Sequence, residues 1–355
     1  MNGRSRAANL QSDRCLKDVL PARGRVLIIP HDYPDPDALA SAAALHLLLD
    51  RAWHVRSAIV FAGVVNRAEN QEMLRHFRYR WRPMEDFPPP SRKLPAIFLD
   101  VWPGPGHVTM PPWIRPIGVI DHHPPRMRAV PEGWFVDVRP GIGATATLLY
   151  GRLREAGVEP PPWLAAVMAY AIETETLAFT RPYTPEDRDA YTALIQVANL
   201  RIIGAIRNAP LKRAHFSRLR EALANARLHA HVAWTHLPQA EPPELVAEVA
   251  DLLLRLERMT WSFCTGERAD ELLVSVRSER RDARCGRIVR EAVRGDGIGG
   301  GHDRMAAGVI SLAGLAPAQR EERLRRLQTA LLRRMIPRKL SVDIADPEQI
   351  GRALA

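Results

Sequence analysis

The sequence predicts an α/β protein: a mostly parallel sheet flanked by helices, followed by a smaller C-terminal α/β domain. Three observations carry that prediction. The apolar run Val26–Ile29 passes through a short polar loop into an Ala- and Leu-rich helix over Asp37–Asp50, which is the opening of a strand-loop-helix unit. Two further apolar runs, Ala96–Leu99 and Ile117–Ile120, read as buried strands, and each stops on an acid, Asp100 and Asp121. Beyond a long helical stretch the alternation resumes with strands near Trp261–Cys264, Glu271–Val276 and Ala307–Leu312.

Each element has a local reason. Asp35 or Asp37 supplies the cap of the first helix. A strand at Ser57–Phe61 and a helix over Glu69–Phe77 follow. Proline is dense from Pro83 to Pro95 and from Pro103 to Pro116, so both stretches are expected on the surface, beside the acidic strand ends. Helices are expected over Thr145–Ala156 and Pro162–Thr176, the latter opening on prolines that a first turn tolerates. The Arg- and Ala-rich chain from Pro185 to Ala233 reads as helical and suits a bridge. A helix over Glu244–Met259, another over Cys285–Val293, the glycine cluster Gly297–Gly301 and an Arg-rich helix over Pro317–Met335 complete the pattern. The expected organisation is a metal-binding domain over 20–190, a helical linker over 191–240, a second domain over 241–335 and a tail over 336–355.

Composition sets bounds. The 355 residues exceed a typical single domain, and 46% apolar with 25% charged residues is ordinary for a folded protein. The formal charge is +10, but of 50 basic residues only Lys17, Lys93, Lys212 and Lys339 are lysines. GC-rich codon usage alone can produce that arginine skew, so the charge does not by itself establish a polyanionic partner. Three dispersed cysteines, Cys15, Cys264 and Cys285, offer neither a disulfide framework nor a CxxC zinc site. With no bilayer-length apolar run and no signal-peptide core, the expected location is the cytoplasm, with no membrane partner.

The chemistry concentrates in His31-Asp32-Tyr33-Pro34-Asp35-Pro36-Asp37-Ala38, in Asp100 and in Asp121-His122-His123. Carboxylate oxygens suit hard divalent cations, and imidazole tilts such a site toward manganese, with magnesium and cobalt as alternatives. Asp35 and Asp37, two residues apart in a loop, can face two neighbouring ions, and Asp100 from the next strand can bridge them. Two such ions suit hydrolysis at phosphorus by an activated hydroxide. Singly, each residue has an ordinary explanation as a helix cap, a strand end or a turn histidine. Together, three acidic strand ends with adjacent histidines point to a metal site.

On these residues the chain resembles the DHH family of phosphoesterases, which includes nanoRNases, phosphoadenosine-phosphate phosphatases, cyclic-dinucleotide phosphodiesterases and RecJ-type exonucleases. The likeness covers most of residues 25–312. His31-x-x-Pro34-Asp35-x-Asp37-Ala38-x-x-Ser41 is similar to the first family motif, Asp100 to the second and Asp121-His122-His123 to the third. The fourth motif, Thr-Asp-Thr-Gly in the family, corresponds to Thr174-Glu175-Thr176-Leu177, with Phe179 shortly after. Glu175 thus stands for an aspartate and Leu177 for a glycine. Glu173, two positions away on a helix, faces elsewhere, so Glu175 is preferred.

The resemblance implies one cation on His31, Asp35 and Asp100, and a second on Asp37, Asp100, His122 and Glu175. His123, with Asp121, would face the scissile phosphate as the catalytic pair. Gly299-Gly300-Gly301-His302, followed by Ala306-Ala307-Gly308, and the strand leading into Arg277-Ser278 resemble the DHHA1 domain that accompanies DHH domains. They imply substrate binding by Arg277, Ser278, Gly299, Gly300, Gly301 and His302, through backbone amides and a guanidinium fork on phosphate. The expected activity is hydrolysis of a short oligonucleotide or dinucleotide, or of a nucleoside bisphosphate, with homodimerisation left open. The alternatives are a RecJ-like single-strand exonuclease, which the absence of a further nucleic-acid-binding domain disfavours, and a nucleotide-binding regulator whose fourth motif has drifted.

Overall fold

The computed structural model describes residues 9–104, 108–125, 127, 129–280, 282–301, 303–336 and 352–353. The chain forms two compact units, Met1–Pro210 and Leu211–Ala355. The first contains β1 (Leu10–Gln11), β2 (Arg25–Pro30), α1 (Pro36–Trp53), β3 (Arg56–Phe61), α2 (Ala68–His76), β4 (Trp81–Pro83), β5 (Leu94–Leu99), β6 (Ile114–Asp121), β7 (Phe135–Val138), α3 (Thr145–Glu155), α4 (Pro162–Glu175), α5 (Pro185–Val197) and α6 (Leu200–Arg207). Its seven strands make one sheet, ordered β1-β7-β6-β5-β2-β3-β4 and parallel except at the β1 edge.

The period-2 alternation of strand side chains sets the two faces. Val26 and Ile28 pack with the buried residues of α1, α3 and α4, whereas Leu27 and Ile29 join a smaller core closed by Met84, Phe87, Trp102 and Val108 from the connections. Helix α1 starts where Asp35 caps it, accepting the Ala38 amide at 3.0 Å ahead of Pro36. Pro95 and Pro116, expected on the surface, lie instead within β5 and β6. Each sits where only one neighbouring strand pairs, beside a register shift between Ala96 and Ile97, so the missing amide hydrogen costs the ladder little.

The second unit contains α7 (Arg213–Ala224), β8 (Arg227–His229), β9 (Val232–Leu237), α8 (Leu245–Leu254), β10 (Trp261–Arg268), β11 (Glu271–Ser278), α9 (Cys285–Ala292), β12 (Gly297–Gly301), β13 (Met305–Ser311), α10 (Pro317–Met335) and β14 (Arg352–Ala353). Its sheet runs β12-β13-β11-β10-β9-β8-β14, antiparallel except for the β9–β10 pair. One face packs Val274 and Val276 against Val289 of α9 and Leu331 of α10; the other packs Ala233 and Leu237 against Val249 and Leu253 of α8.

The expected helical linker over 191–240 is not a single bridge. Its first part completes α5 and adds α6, whose Ile202, Ile203 and Ile206 are buried in the first core. Its second part supplies α7 and the strands β8 and β9, the latter with Val232, Ala233, Trp234 and Leu237 buried. These apolar positions draw the segment into the two cores. The expected tail over 336–355 falls outside the described residues apart from Ile336 and the short β14. Cys15, Cys264 and Cys285 are all free thiols. No helix among the described residues is long and apolar enough to cross a membrane.

Candidate metal centre

Parallel register brings the sequence motifs together. In the ladder Pro30 pairs with Leu99 and Leu99 with Ile120, so the next residues, His31, Asp100 and Asp121, stand together at the carboxyl ends of three adjacent strands. The region beyond the carboxyl ends of parallel strands is where open α/β sheets bind ligands. Asp100 turns sharply out of β5 at φ +57° and is buried.

Two sets of ligand atoms converge there, His31 with Asp35 and Asp100, and Asp100 with His122 and His123. His31 Nε2 lies 3.7 Å from Asp35 Oδ1 and 3.7 Å from Asp100 Oδ2. His122 Nε2 lies 3.5 Å from Asp100 Oδ1 and 3.9 Å from Asp37 Oδ2, and His123 Nδ1 lies 3.3 Å from Asp100 Oδ1. Most of these separations are too long for hydrogen bonds. They lie within or up to about 0.3 Å beyond the spacing of neighbours in one coordination shell, which bond lengths of about 2.0–2.2 Å set at roughly 3.1–3.6 Å. Asp100 belongs to both sets, as a bridging carboxylate would.

The surrounding bonds fix which atoms face inward. His31 Nδ1 donates to the Asp32 carbonyl at 2.8 Å and His122 Nδ1 to the Ile142 carbonyl at 3.1 Å, so each ring turns its Nε2 toward the carboxylates. His122 Nε2 is buried and has no hydrogen-bond partner. A buried lone pair aimed at carboxylates is costly unless a cation fills the gap, and this orphan with its mixed nitrogen and oxygen neighbours fits a divalent metal. Asp37, 1% exposed, accepts the Thr145 and Ala146 amides of α3 at 2.7 and 2.8 Å, while the Thr145 hydroxyl donates to Asp100 Oδ1 at 2.9 Å. Asp121, also buried, accepts both the backbone amide and ring Nδ1 of His123 at 2.9 Å, orienting that imidazole.

Electrostatics follow from this crowding. Burial resists the charged form of His31, but the Asp35 carboxylate and then Asp100 outweigh it and push its pKa up to about 10. Burial likewise resists charging His123, yet Asp100 and Asp121 push it up to about 12. Burial raises Asp37 well above the usual carboxylate range, and Asp100 and Asp35 add to the shift. Asp35 and Asp100 fall below that range because the histidine contacts exceed the burial penalty. The cluster therefore demands positive charge, which bound protons or metal ions supply.

Glu175 closes α4 nearby, outside both tight sets. Burial first, and the field of Asp35 second, raise its carboxyl to about 7. Arg181 holds the segment, donating to the Glu175 carbonyl at 3.2 Å and lying 4.0 Å from its carboxylate. Glu173 is taken up elsewhere, by Arg207 and by the Tyr191 hydroxyl. Where the family has its glycine, Leu177, Ala178 and Phe179 take φ of +49°, +50° and +62° in succession. The left-handed turn survives without glycine, held by Ala178 N to Glu173 O at 2.7 Å, Arg181 N to Thr176 O at 2.9 Å, and edge-to-face packing of Phe179 on Tyr183 and Tyr191.

With this geometry in place, the likeness to known proteins can be stated. The chain is similar to known proteins in both fold and sequence. It shares its fold with an exopolyphosphatase-related protein of Bacteroides fragilis over 87% of this chain and 92% of that one, at a TM-score of 0.62 and 16% identity. It is 29% identical over 313 residues to an uncharacterised protein of Methanocaldococcus jannaschii, covering 88% of this chain and 63% of the relative. It is 25% identical over 181 residues to a probable manganese-dependent inorganic pyrophosphatase of Enterococcus faecalis, covering 51% of this chain and 58% of that protein. The chain thus spans about six-tenths of the length of these two curated relatives. No family model matches it.

The residues expected to bind substrate in the second unit have partners there. Arg277, on β11, forks onto Asp251 of α8 through Nε at 2.6 Å and donates to the Ser275 hydroxyl at 2.7 Å. Ser278 donates to the Thr260 carbonyl at 2.9 Å. The glycine cluster is not a loop but the edge strand β12. Its glycines answer to packing, since a Cβ would come within 2.0 Å of the Val309 carbonyl at Gly297, 2.8 Å of Val289 at Gly299 and 2.4 Å of the Met305 carbonyl at Gly301. Gly300 meets nothing within 4 Å. His302 lies outside the described residues. A signal missed in the sequence is the run Arg284, Arg287, Arg290, which with Gly286, Gly301 and Asp303 lines a cavity of about 420 Å³ at the start of α9.

Proposed function

We propose that the chain is a metal-dependent hydrolase of phosphate esters in short nucleotides: nano-oligonucleotides, linear or cyclic dinucleotides, or nucleoside 3′,5′-bisphosphates. The observation that carries this reading is the convergence of His31, Asp35, Asp100, His122 and His123 at three adjacent strand ends. Two divalent cations, manganese first, when bound would acidify a water and neutralise charge on the attacked phosphate. His31, Asp35 and Asp100 would hold one ion, and Asp37, Asp100, His122 and Glu175 the other. Asp121 holds the His123 ring so that a cationic imidazolium faces a phosphate oxygen, while the α3 amides and Thr145 keep Asp37 and Asp100 aimed inward. In the second unit, the cavity lined by Arg284, Arg287 and Arg290 offers guanidinium groups for a substrate phosphate. The similarity to a probable manganese-dependent inorganic pyrophosphatase and the fold shared with an exopolyphosphatase-related protein support the same class of chemistry.

The test is a turnover panel with purified protein and Mn²⁺: pApA, pGpG, cyclic dinucleotides, a nucleoside 3′,5′-bisphosphate and inorganic pyrophosphate. Manganese-dependent turnover of at least one nucleotide is expected. Cleavage of pyrophosphate alone would replace the substrate class. Nucleotide binding without turnover would favour a regulator, a second reading that draws on Glu175 standing outside the tight ligand sets.

A further inference from the structure

We propose that Asp187 is a positioning residue for the metal centre, an inference that rests on the metal-centre reading above. Asp187 lies in the first turn of α5, is 0% exposed and is not part of any motif. In sequence Thr184-Pro185-Glu186-Asp187 is an ordinary capping box, and half of its bonding is that: Oδ2 accepts the Thr184 amide at 2.8 Å and the Thr184 hydroxyl at 2.7 Å. The other half reaches some forty residues back along the chain. Oδ2 also accepts the Gly143 amide at 2.8 Å, and Oδ1 accepts the Thr147 hydroxyl at 2.6 Å.

Those two bonds clamp the entry to α3, the segment that aims the metal ligands. Ile142, one residue before the clamp, offers the carbonyl that orients His122. Thr145 and Ala146, between the two clamped residues, give their amides to Asp37, and the Thr145 hydroxyl serves Asp100. The approach is close enough to demand glycine, since a Cβ at Gly143 would stand 2.7 Å from Thr176 Cγ2 and 3.0 Å from Asp187 Oδ2. Thr176 directly follows Glu175, so this contact joins the α3 entry, the α5 cap and the end of α4. A cap needs only the Thr184 bonds; the bonds to Gly143 and Thr147 connect the cap to three ligands that Asp187 never touches.

The test compares Asp187→Asn with Thr184→Ala in the full chain, reading the Mn²⁺ dissociation constant by calorimetry and the melting temperature without metal. Asp187→Asn is expected to weaken Mn²⁺ binding by about 10- to 100-fold, the usual effect of losing a group that orients ligands. Thr184→Ala, which keeps the carboxylate on Gly143 and Thr147, is expected to lower the melting temperature and leave the Mn²⁺ constant within about twofold. If Asp187→Asn does not fold, Thr147→Val removes one clamp bond at less risk and is expected to weaken Mn²⁺ binding severalfold. Unchanged Mn²⁺ affinity in a folded Asp187→Asn or Thr147→Val protein, beside a wild type that binds, would overturn the positioning role alone. A wild type that binds no Mn²⁺ would overturn the metal-centre reading as well.

Discussion

Both units place charged side chains where the sequence suggests binding, yet they use those charges differently. In the first, His31, Asp100 and Asp121 stand at one level at the ends of three parallel strands, and His31 and Asp100 meet Asp35, His122 and His123 there with few internal counter-groups. In the second, Arg277 sits within an antiparallel strand, and Asp251 with Ser275 takes up its guanidinium. A strand end projects a side chain beyond the ladder, whereas a strand interior delivers it to the packed helix. Spare charge, rather than residue type, separates a candidate site from a structural tie.

The contrast breaks most easily at Asp100. Asp100→Ala is expected to abolish turnover and weaken Mn²⁺ binding by about 100-fold or more, at or beyond the top of the range for ligand-orienting residues. Calorimetry reads the loss, and near wild-type affinity would contradict the bridging role. The matching change in the second unit is Arg277→Ala, expected to cost about 1–3 kcal/mol of stability by leaving Asp251 and Ser275 without their donor. Denaturant titration beside kinetics checks it: the midpoint should fall while KM stays within about twofold, and a raised KM at unchanged stability would make Arg277 a substrate ligand.

A gentler probe uses protons. Because folding raises His31 from 6.5 to about 10, its contribution to stability is complete below pH 6.5 and fades as the pH climbs through 10. A metal ligand must be the neutral ring, so Mn²⁺ binding at pH 7 should release about one proton or more. Titrations in buffers of different ionisation heat measure that release, and none at all would mean that His31 stays protonated and unligated.

Much of this was legible in the sequence, for reasons residue by residue. The runs before Asp100 and Asp121 are apolar throughout, as strands buried on both faces must be, and the Asp35-Pro36-Asp37 run marks a helix start to within two residues. The short strands β1, β4, β7 and β8 carry two to four residues each, too few for any periodicity to register. Glycines at 297, 299 and 301 have the same composition in a phosphate loop as in an edge strand packed under α9, and only the neighbours tell the two apart. Asp187 reads as a local cap because its two informative bonds are long-range. The left-handed turn at Leu177 hides for another reason: its residues give no sign of the φ they adopt. The smallest effect expected here tests that turn, since Leu177 is 54% exposed and Leu177→Gly should relieve about 1 kcal/mol of backbone strain. A raised melting temperature with unchanged Mn²⁺ affinity is the expected result.

Anomalous diffraction from crystals grown with MnCl₂ addresses the metal centre most directly. Two manganese peaks sharing Asp100, one bounded by His31 and Asp35 and the other by His122, are the predicted outcome. Manganese bound elsewhere, or no peak among these side chains at saturating metal, would contradict it.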